Sequence, residues 1–209
     1  MALSTIEQAI EALKAGKPIL VADDENRENE GDAIIAAELV TEEWMAWIVR
    51  NTTGFLCVPM EESRANELEL PLMTIQNEDP HATNYTVSVD AANRYATGVS
   101  AADRANTANV LANPRSTAAS LIRPGHMLPL RAHPLGVHGR AGHTEAGCDL
   151  ARLAGLQPAA VIVEIMNDDG TMARRPELER FAREHGLKIG TIADLIRYRL
   201  RKERSVERL

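Results

Sequence analysis

The hydrophobic pattern of this chain alternates between short apolar runs and helical spacing. Ile6, Ile10 and Leu13 recur at helical intervals behind Ser4, with Glu7 three residues on as a capping box, and Gly16 marks the stop. Residues 18–22 and 32–37 read as buried strands. Thr41 can cap a helix through Trp44, Trp47 and Ile48 that ends near Gly54. Further strand-like runs lie at 55–58, 85–89 and 159–165, and helical segments near 101–112, 144–154, 176–185 and 191–204. Pro176 suits a first helical turn, and Gly155 and Gly186 suit helix ends. Strands alternate with helices throughout, with no repeat and no Ser/Gly/Pro linker, which predicts one layered α/β domain over 1–209. Residues 113–143, dense in Pro, Gly, His and Arg, lack periodicity and read as a long functional loop.

Composition narrows the classes. With 44% hydrophobic and 25% charged residues, the chain carries a full-sized core and is not a disordered segment. An aromatic content of 3% leaves little for base stacking, and a formal charge of −7 opposes binding to a phosphate backbone, so no nucleic-acid partner is expected. Two cysteines, Cys57 and Cys148, make neither a disulfide framework nor a four-cysteine zinc site, which fits a reduced compartment. No apolar run approaches the roughly 20 residues that span a bilayer, and no basic segment precedes an apolar one at the start. A soluble, cytoplasmic protein without a membrane partner is the expectation. The tail 197–209 mixes arginines with Glu203 and Glu207 and reads as a solvated helix end.

The charge is unevenly spread. Asp23-Asp-Glu-Asn-Arg-Glu-Asn-Glu-Gly-Asp32 joins two predicted strands and carries six acids and one arginine. Such carboxylates repel one another unless solvent or a cation screens them, so this is either a solvated turn or a hard-cation site of the kind that suits Mg²⁺. It is not an EF-hand: with Gly31 at the sixth loop position, the twelfth is Ala37 rather than the required Glu.

A second candidate is Arg140-Ala-Gly-His-Thr144. Thr144 is a natural N-cap for the helix that follows, which places Gly142 and His143 at a helix N-terminus. The positive end of the dipole and the forked guanidinium of Arg140 favour an anion there, although a plain capped helix accounts for the same residues. No nucleotide-type phosphate loop occurs. His126, His133, His138 and His143 fall within 18 residues, but their spacing does not put them on one helix face. Glu164 ends an apolar run, where it either reaches solvent or serves as a buried proton carrier.

The acidic loop, together with Thr97-Gly-Val-Ser-Ala-Ala-Asp-Arg104, Arg123-Pro-Gly-His126, Arg140-Ala-Gly-His-Thr-Glu-Ala146 and Asn167-Asp-Asp-Gly-Thr-Met172, resembles the 3,4-dihydroxy-2-butanone-4-phosphate synthases over about residues 5–200. The resemblance implies a mixed sheet flanked by helices in three layers. It also implies Mg²⁺-dependent conversion of ribulose 5-phosphate to L-3,4-dihydroxy-2-butanone 4-phosphate and formate, for riboflavin synthesis. By the same likeness Glu28 and His143 hold the metal (Mn²⁺ being an alternative). Arg27, Glu28, Asp32, Arg140, Ala141, Gly142, His143, Thr144 and Glu164 contact substrate, and His126 and Glu164 are catalytic. A homodimer with active sites near the interface is implied as well. Ala96 and the pair Gly147-Cys148 depart from the common pattern, outside the ligand positions. The chain lacks the Cys-rich zinc site of a fused GTP cyclohydrolase II domain and so looks monofunctional. Two other readings stay open: a metal-dependent sugar-phosphate isomerase or aldolase, and a non-catalytic cation- or metabolite-binding module.

Overall fold

Local sequence signals set most element boundaries in the computed structural model, which describes residues 3–203. Helix α1 (Ile6–Lys14) is capped by Thr5 rather than Ser4, in a reciprocal box with Gln8, while Ser4 pairs instead with Ile189. Thr41 caps α2 (Glu42–Asn51) and Ser100 caps α4 (Ala101–Ala112). Between them lie β1 (Ile19–Ala22), β2 (Gly31–Ala36), β3 (Cys57–Glu61), a short α3 (Glu62–Glu67) and β4 (Val89–Ala91). The second half comprises β5 (Leu121–Ala132), α5 (His143–Leu153), β6 (Ala160–Glu164), α6 (Arg175–Glu184), β7 (Lys188–Thr191) and α7 (Ile192–Lys202). Residues 204–209 of the Arg-rich tail lie outside the described residues.

The seven strands form one mixed sheet in the order β4-β5-β3-β6-β2-β1-β7. β1 runs antiparallel to β2 and parallel to β7, and β6 runs antiparallel to both β2 and β3. Strand parity divides the core. Ile34, Ala160 and Ile162 pack under α1, α5 and α7, whereas Ile35, Val161 and Val163 pack under α2 and α4. Ala33 and Leu20 lie against α6. Both faces of the central strands are covered, which is why they read as continuous apolar runs. The result is a layered α/β domain, with the three layers and mixed sheet that the family resemblance implies.

The segment 113–143 departs from expectation. It contains the 12-residue strand β5 rather than one long loop. Its period is hidden because Asp90 pairs with Ile122 and the adjacent Val89 with Met127, so the Arg123–His126 stretch bulges out of the ladder. Gly125 is needed there: a Cβ would overlap the backbone of Val89 and Asp90. Of the predicted strand 85–89, only Val89 lies in a strand, and Tyr85 and Thr86 make single bridges.

The C-terminal helix is less solvated than its composition suggests. Arg199 turns inward and donates from Nη1 to Asp149 Oδ2 at 2.7 Å. The wholly buried Asp149 also accepts from Val137 N (2.8 Å) and Arg152 Nη1 (2.7 Å). Removing Asp149 would take the buried partner from Arg199, whose Nε and Nη2 still reach Glu203 at 2.8 Å, and leave the buried Val137 N–H without its acceptor. Asp149→Ala is therefore expected to cost about 3 kcal/mol in a urea melt at pH 7. A loss below about 1 kcal/mol, the range of an exposed pair, would mean that Glu203 suffices for Arg199.

Candidate functional site

Sheet register brings the first acids together. Asp32 on β2 and Glu164 on β6 are direct cross-strand partners. Both share strand parity with Ile34 and Ile162, and so both point to the face covered by α5. On the far side of β6, Cys57 pairs with Ile162. The N-terminus of α5 lies over this corner and supplies His143, 122 residues away in sequence from its hydrogen-bond partner Val21. Arg27, Glu28, Glu30, Asp32, His143 and Glu164 line a common pocket of about 60 Å³, with Thr83 and Tyr85 above it.

The histidine geometry decides the chemistry of the cluster. His143 Nε2 lies 3.1 Å from the carbonyl oxygen of Val21. A carbonyl can only accept, so Nε2 carries the proton and Nδ1 presents a lone pair. That lone pair faces Asp32 Oδ1 at 3.5 Å and Glu28 Oε2 at 3.9 Å. Burial, opposed by the charges of Asp23 and Glu28, holds the imidazole below its ordinary pKa, which keeps it neutral. Asp32 Oδ1 is buried and has no hydrogen-bond partner. Burial, followed by the charges of Glu164, Glu28, Glu30 and Asp23, pushes the Asp32 carboxyl well above the usual carboxylate range. Acceptor atoms thus converge around Nδ1, with Arg27 Nη1 donating to Glu28 Oε2 at the edge of the group, an arrangement that a hard or borderline cation can enter. The nearest ligand atoms of Asp23, Glu28 and His143 all lie within 4.8 Å of one another.

Asp23 was not singled out by sequence, because nothing in the composition distinguishes it from its five acidic neighbours. Its side chain is fully buried. Oδ2 accepts from Glu28 N (3.1 Å) and Arg27 Nη1 (3.0 Å), and Oδ1 accepts from Glu30 N (2.8 Å). Arg27 also pairs with Glu28. Asp23 therefore shapes the loop as well as adding charge to it.

An anion cradle adjoins the cation cluster. Helix α5 starts at His143, with Gly142 rather than Thr144 at the N-cap, and no side chain caps it. Thr144 lies one residue inside the helix and is buried, whereas Ala141 is exposed. A Cβ at Gly142 would overlap Arg140 Nη1 and approach Arg27 Nη2 and Glu145 Oε2 to 3.0 Å, so two guanidinium groups meet over the bare backbone of Gly142. Arg140 spends three of its five N–H groups within the fold: Nε on His81 O, Nη1 on Glu145 Oε2 and Nη2 on Thr83 Oγ1, each at 2.8 Å. The other two remain for an incoming anion. These bonds also hold the 81–83 segment over the pocket.

The remaining predicted residues separate. Glu164 is half-buried, and Oε2 accepts from the Thr53 hydroxyl at 2.9 Å. His126 does not line the pocket. Its backbone N–H and Nδ1 both meet Asp90, at 2.9 and 2.8 Å, and its side chain is 45% exposed. His133 and His138 serve the 133–138 turn rather than the site. Burial and the Glu164 and Asp32 charges push the Cys57 thiol up, which makes it a packed wall and not a nucleophile. Burial likewise raises Tyr85 to about 12. A larger cleft of about 1170 Å³ between α2 and α6 mixes Asp168, Asp169, Glu177 and Glu184 with Arg50 and Arg180, and among the described residues its acids form no close ligand group of that kind.

Fold and site together define a class: a helix–sheet–helix protein with a carboxylate–imidazole cation cluster abutting a guanidinium cradle at a helix N-terminus. Residues 7–198 match the model of the 3,4-dihydroxy-2-butanone 4-phosphate synthase family, and the chain belongs to that family. It is 55% identical over 209 residues to 3,4-dihydroxy-2-butanone 4-phosphate synthase of Pseudomonas aeruginosa, covering 100% of this chain and 57% of that protein. It is 56% identical over 203 residues to the riboflavin biosynthesis protein RibBA of Salinispora arenicola, covering 97% and 48%. The chain thus spans about half the length of these curated relatives. A crystal structure of 3,4-dihydroxy-2-butanone 4-phosphate synthase in complex with two magnesium ions superposes with a TM-score of 0.94 at 45% identity, covering 98% of this chain and 100% of that one. RibBX of A. baumannii, a two-domain synthase, gives 0.94 at 48% identity, covering 99% and 61%. Among the described residues no helix is long and apolar enough to cross a membrane.

The crowding of acids at Asp32 has a consequence for stability. The folded, metal-free chain keeps a proton on Asp32 to higher pH than the unfolded chain does. This contribution is complete below the ordinary carboxylate range and is lost as pH rises through the elevated value. Asp32→Asn should therefore raise the melting temperature of metal-free protein at neutral pH and flatten its decline above the ordinary carboxylate range. An unchanged thermal pH profile would show that the folded chain ionises Asp32 without cost.

Proposed function

We propose that the chain is a lyase that converts ribulose 5-phosphate to L-3,4-dihydroxy-2-butanone 4-phosphate and formate, supplying the four-carbon unit of riboflavin, and that it works with Mg²⁺ (or Mn²⁺) in the cytoplasm as a homodimer of single-domain chains. The observation that carries the reading is the meeting of Glu28, the unpartnered Asp32 Oδ1 and the Nδ1 lone pair of His143, immediately beside a cradle built from Arg27, Arg140 and the N-terminus of α5. The substrate carries both matching halves, a hydroxyketone and a phosphate.

In this reading Glu28 and His143 hold the ion, with Asp23 close behind them. A bound divalent ion supplies charge to oxygens of the ketone and its neighbouring hydroxyl as enediolate character develops. The residues of the chain do the rest. Arg140 and Arg27 take the phosphate with the first N–H groups of α5, at His143 and Thr144, which fixes the distance between the phosphate and the reacting carbons. Asp32, inclined to keep a proton, donates to or orients a hydroxyl, and Glu164, held by Thr53, moves protons beside the carbonyl. A 60 Å³ pocket is too small for a phosphorylated pentose, so the 81–83 segment yields when substrate enters.

His126 takes its part from a second copy of the chain. It stands outside the pocket in its own chain, oriented by Asp90. Beside it Gly98 belongs to a segment whose backbone N–H groups, those of Tyr95, Ala96 and Gly98, all donate to Asp103. That rigid segment exposes Tyr95 and Val99 to 74% and 48%. Apolar side chains displayed on a fixed backbone suit an interface.

Incubating the purified chain with ribulose 5-phosphate and Mg²⁺, followed by NMR, should give formate and the four-carbon phosphate. A five-carbon isomer or an aldol pair would assign the site to an isomerase or aldolase. Glu28→Gln and His143→Ala should each abolish turnover while leaving the far-ultraviolet dichroism unchanged, and near-normal turnover with EDTA present would refute the metal assignment. Glu28→Gln and His126→Ala chains, each inactive, should regain activity when refolded together, because a hybrid dimer assembles one intact site. Failure to complement, in hybrids shown to form, would place His126 in its own chain's site.

A further inference from the structure

Helix α6 begins against the usual electrostatics of a helix. Arg174 is its N-cap and Arg175 its first residue, so two cations stand at the positive end of the dipole. Glu177 offsets part of this by accepting from Arg174 N at 3.1 Å. Local rules are broken in this way mainly where another part of the molecule needs the group. Here the guanidinium of Arg174 leaves its own helix and crosses to the acidic loop, where Nη1 donates to the backbone carbonyls of Glu28, at 2.8 Å, and Asn29. Asn29 has φ 55°, in the left-handed region, a conformation that Asn tolerates better than most residues.

The loop is therefore gripped from both sides. The carboxylate of Asp23 takes the N–H groups of Glu28 and Glu30, and the guanidinium of Arg174 takes the C=O groups of Glu28 and Asn29. One turn along α6, Leu178 fills the space over Gly31, where any Cβ would strike its side chain. The carboxylate of Glu28 itself is only partly buried, with a side-chain exposure of 31%. Arg27 holds its Oε2 from one side, and the backbone on which it stands sets the direction in which it reaches His143. We infer that Arg174 is a positioning residue for the cation site: it fixes the Glu28–Asn29 peptide so that the Glu28 carboxylate meets the Nδ1 lone pair of His143. This rests on the proposed metal-binding role of Glu28 and adds a residue from a different layer of the fold to that site.

The test pairs two readouts on Arg174→Ala and Arg174→Lys. In metal-free protein, hydrogen exchange of a peptide covering 23–32 should quicken in Arg174→Ala, because the amides of Glu28 and Glu30 lose their fixed geometry, while exchange in β6 and α4 stays unchanged. Mn²⁺ titration followed by electron paramagnetic resonance should show affinity reduced by about tenfold, the usual effect of losing a group that orients a ligand. Lys, which retains the charge but is shorter and lacks the planar guanidinium, should fall between wild type and Ala. Excess Mn²⁺ should restore turnover. A lower melting temperature with unchanged loop exchange and unchanged Mn²⁺ affinity would make Arg174 merely structural and overturn the inference; if Arg174→Ala does not fold, the same outcome in Arg174→Lys does so. A wild-type chain that makes no formate would count against the proposed reaction, whereas the exchange of the loop would still report whether Arg174 holds it.

Discussion

The pairing of Asp32 with Glu164 across β2 and β6 is the constraint on which the site depends. Glu164 on the adjacent strand, facing the same side, raises the energy of the Asp32 charge, which lies buried beneath α5 where water screens it poorly. Glu28 and Glu30 are added from the loop, and Glu30 is itself pushed above its ordinary pKa by burial and then by Glu28 and Glu164. The neutral His143 offers these acids no proton at Nδ1. A chain that accumulates this many acceptors in one corner is stabilised by whatever cation enters it, and that cation is bound the more strongly because the sheet has prepared its ligands in advance. The same repulsion that costs stability in the empty site becomes affinity when an ion is present.

Helix α5 performs the second half of the organisation through two buried carboxylates one turn apart. Glu145 accepts from Arg140 and from His133 N, and Asp149 accepts from Val137 N and Arg199. Between them they tie down both ends of the 133–140 turn, from which Arg140 and the helix N-terminus emerge. Gly136, at φ 59°, permits the closest part of that turn, since a Cβ would meet the Asp149 carboxylate. The anion cradle is consequently anchored to the core through buried side chains of α5.

How much of this the sequence discloses depends on where each interaction is made. Helix α4 and the caps at Thr41 and Ser100 arise from neighbours in sequence, and their boundaries are legible. β5 is not, because Pro124, Gly125 and Pro129 break the local pattern and only its pairing with β3 and β4 makes it a strand. In the site, family motifs bring Glu28, His143, Arg140 and Glu164 to attention, and the fold gathers these four. They say less about roles. Thr144 as a cap fails because Gly142 ends the preceding turn, and Arg140 is as much a strap over His81 and Thr83 as an anion ligand. Asp23, Arg174, Glu145 and Asp90 go unseen because each acts through a backbone group or side chain at a distance that no local pattern encodes.

These unseen residues share a logic. The groups expected to touch a ligand (Glu28, His143, Arg140 and His126) each rest on a second group of opposite character that is more buried than they are. Asp23 supports Arg27 and the amide of Glu28; Val21 supports His143; Glu145 supports Arg140; Asp90 supports His126. A reacting group must keep a free lone pair or proton, so it cannot satisfy its own orientation by bonding fully into the fold. A partner on one of its atoms solves this by fixing direction while leaving another atom open. For His126 the open atom is Nε2, since Nδ1 is engaged by Asp90, and its ring is the one in this set that projects from the surface. Under the proposed function, that open nitrogen is the atom a neighbouring chain would close over.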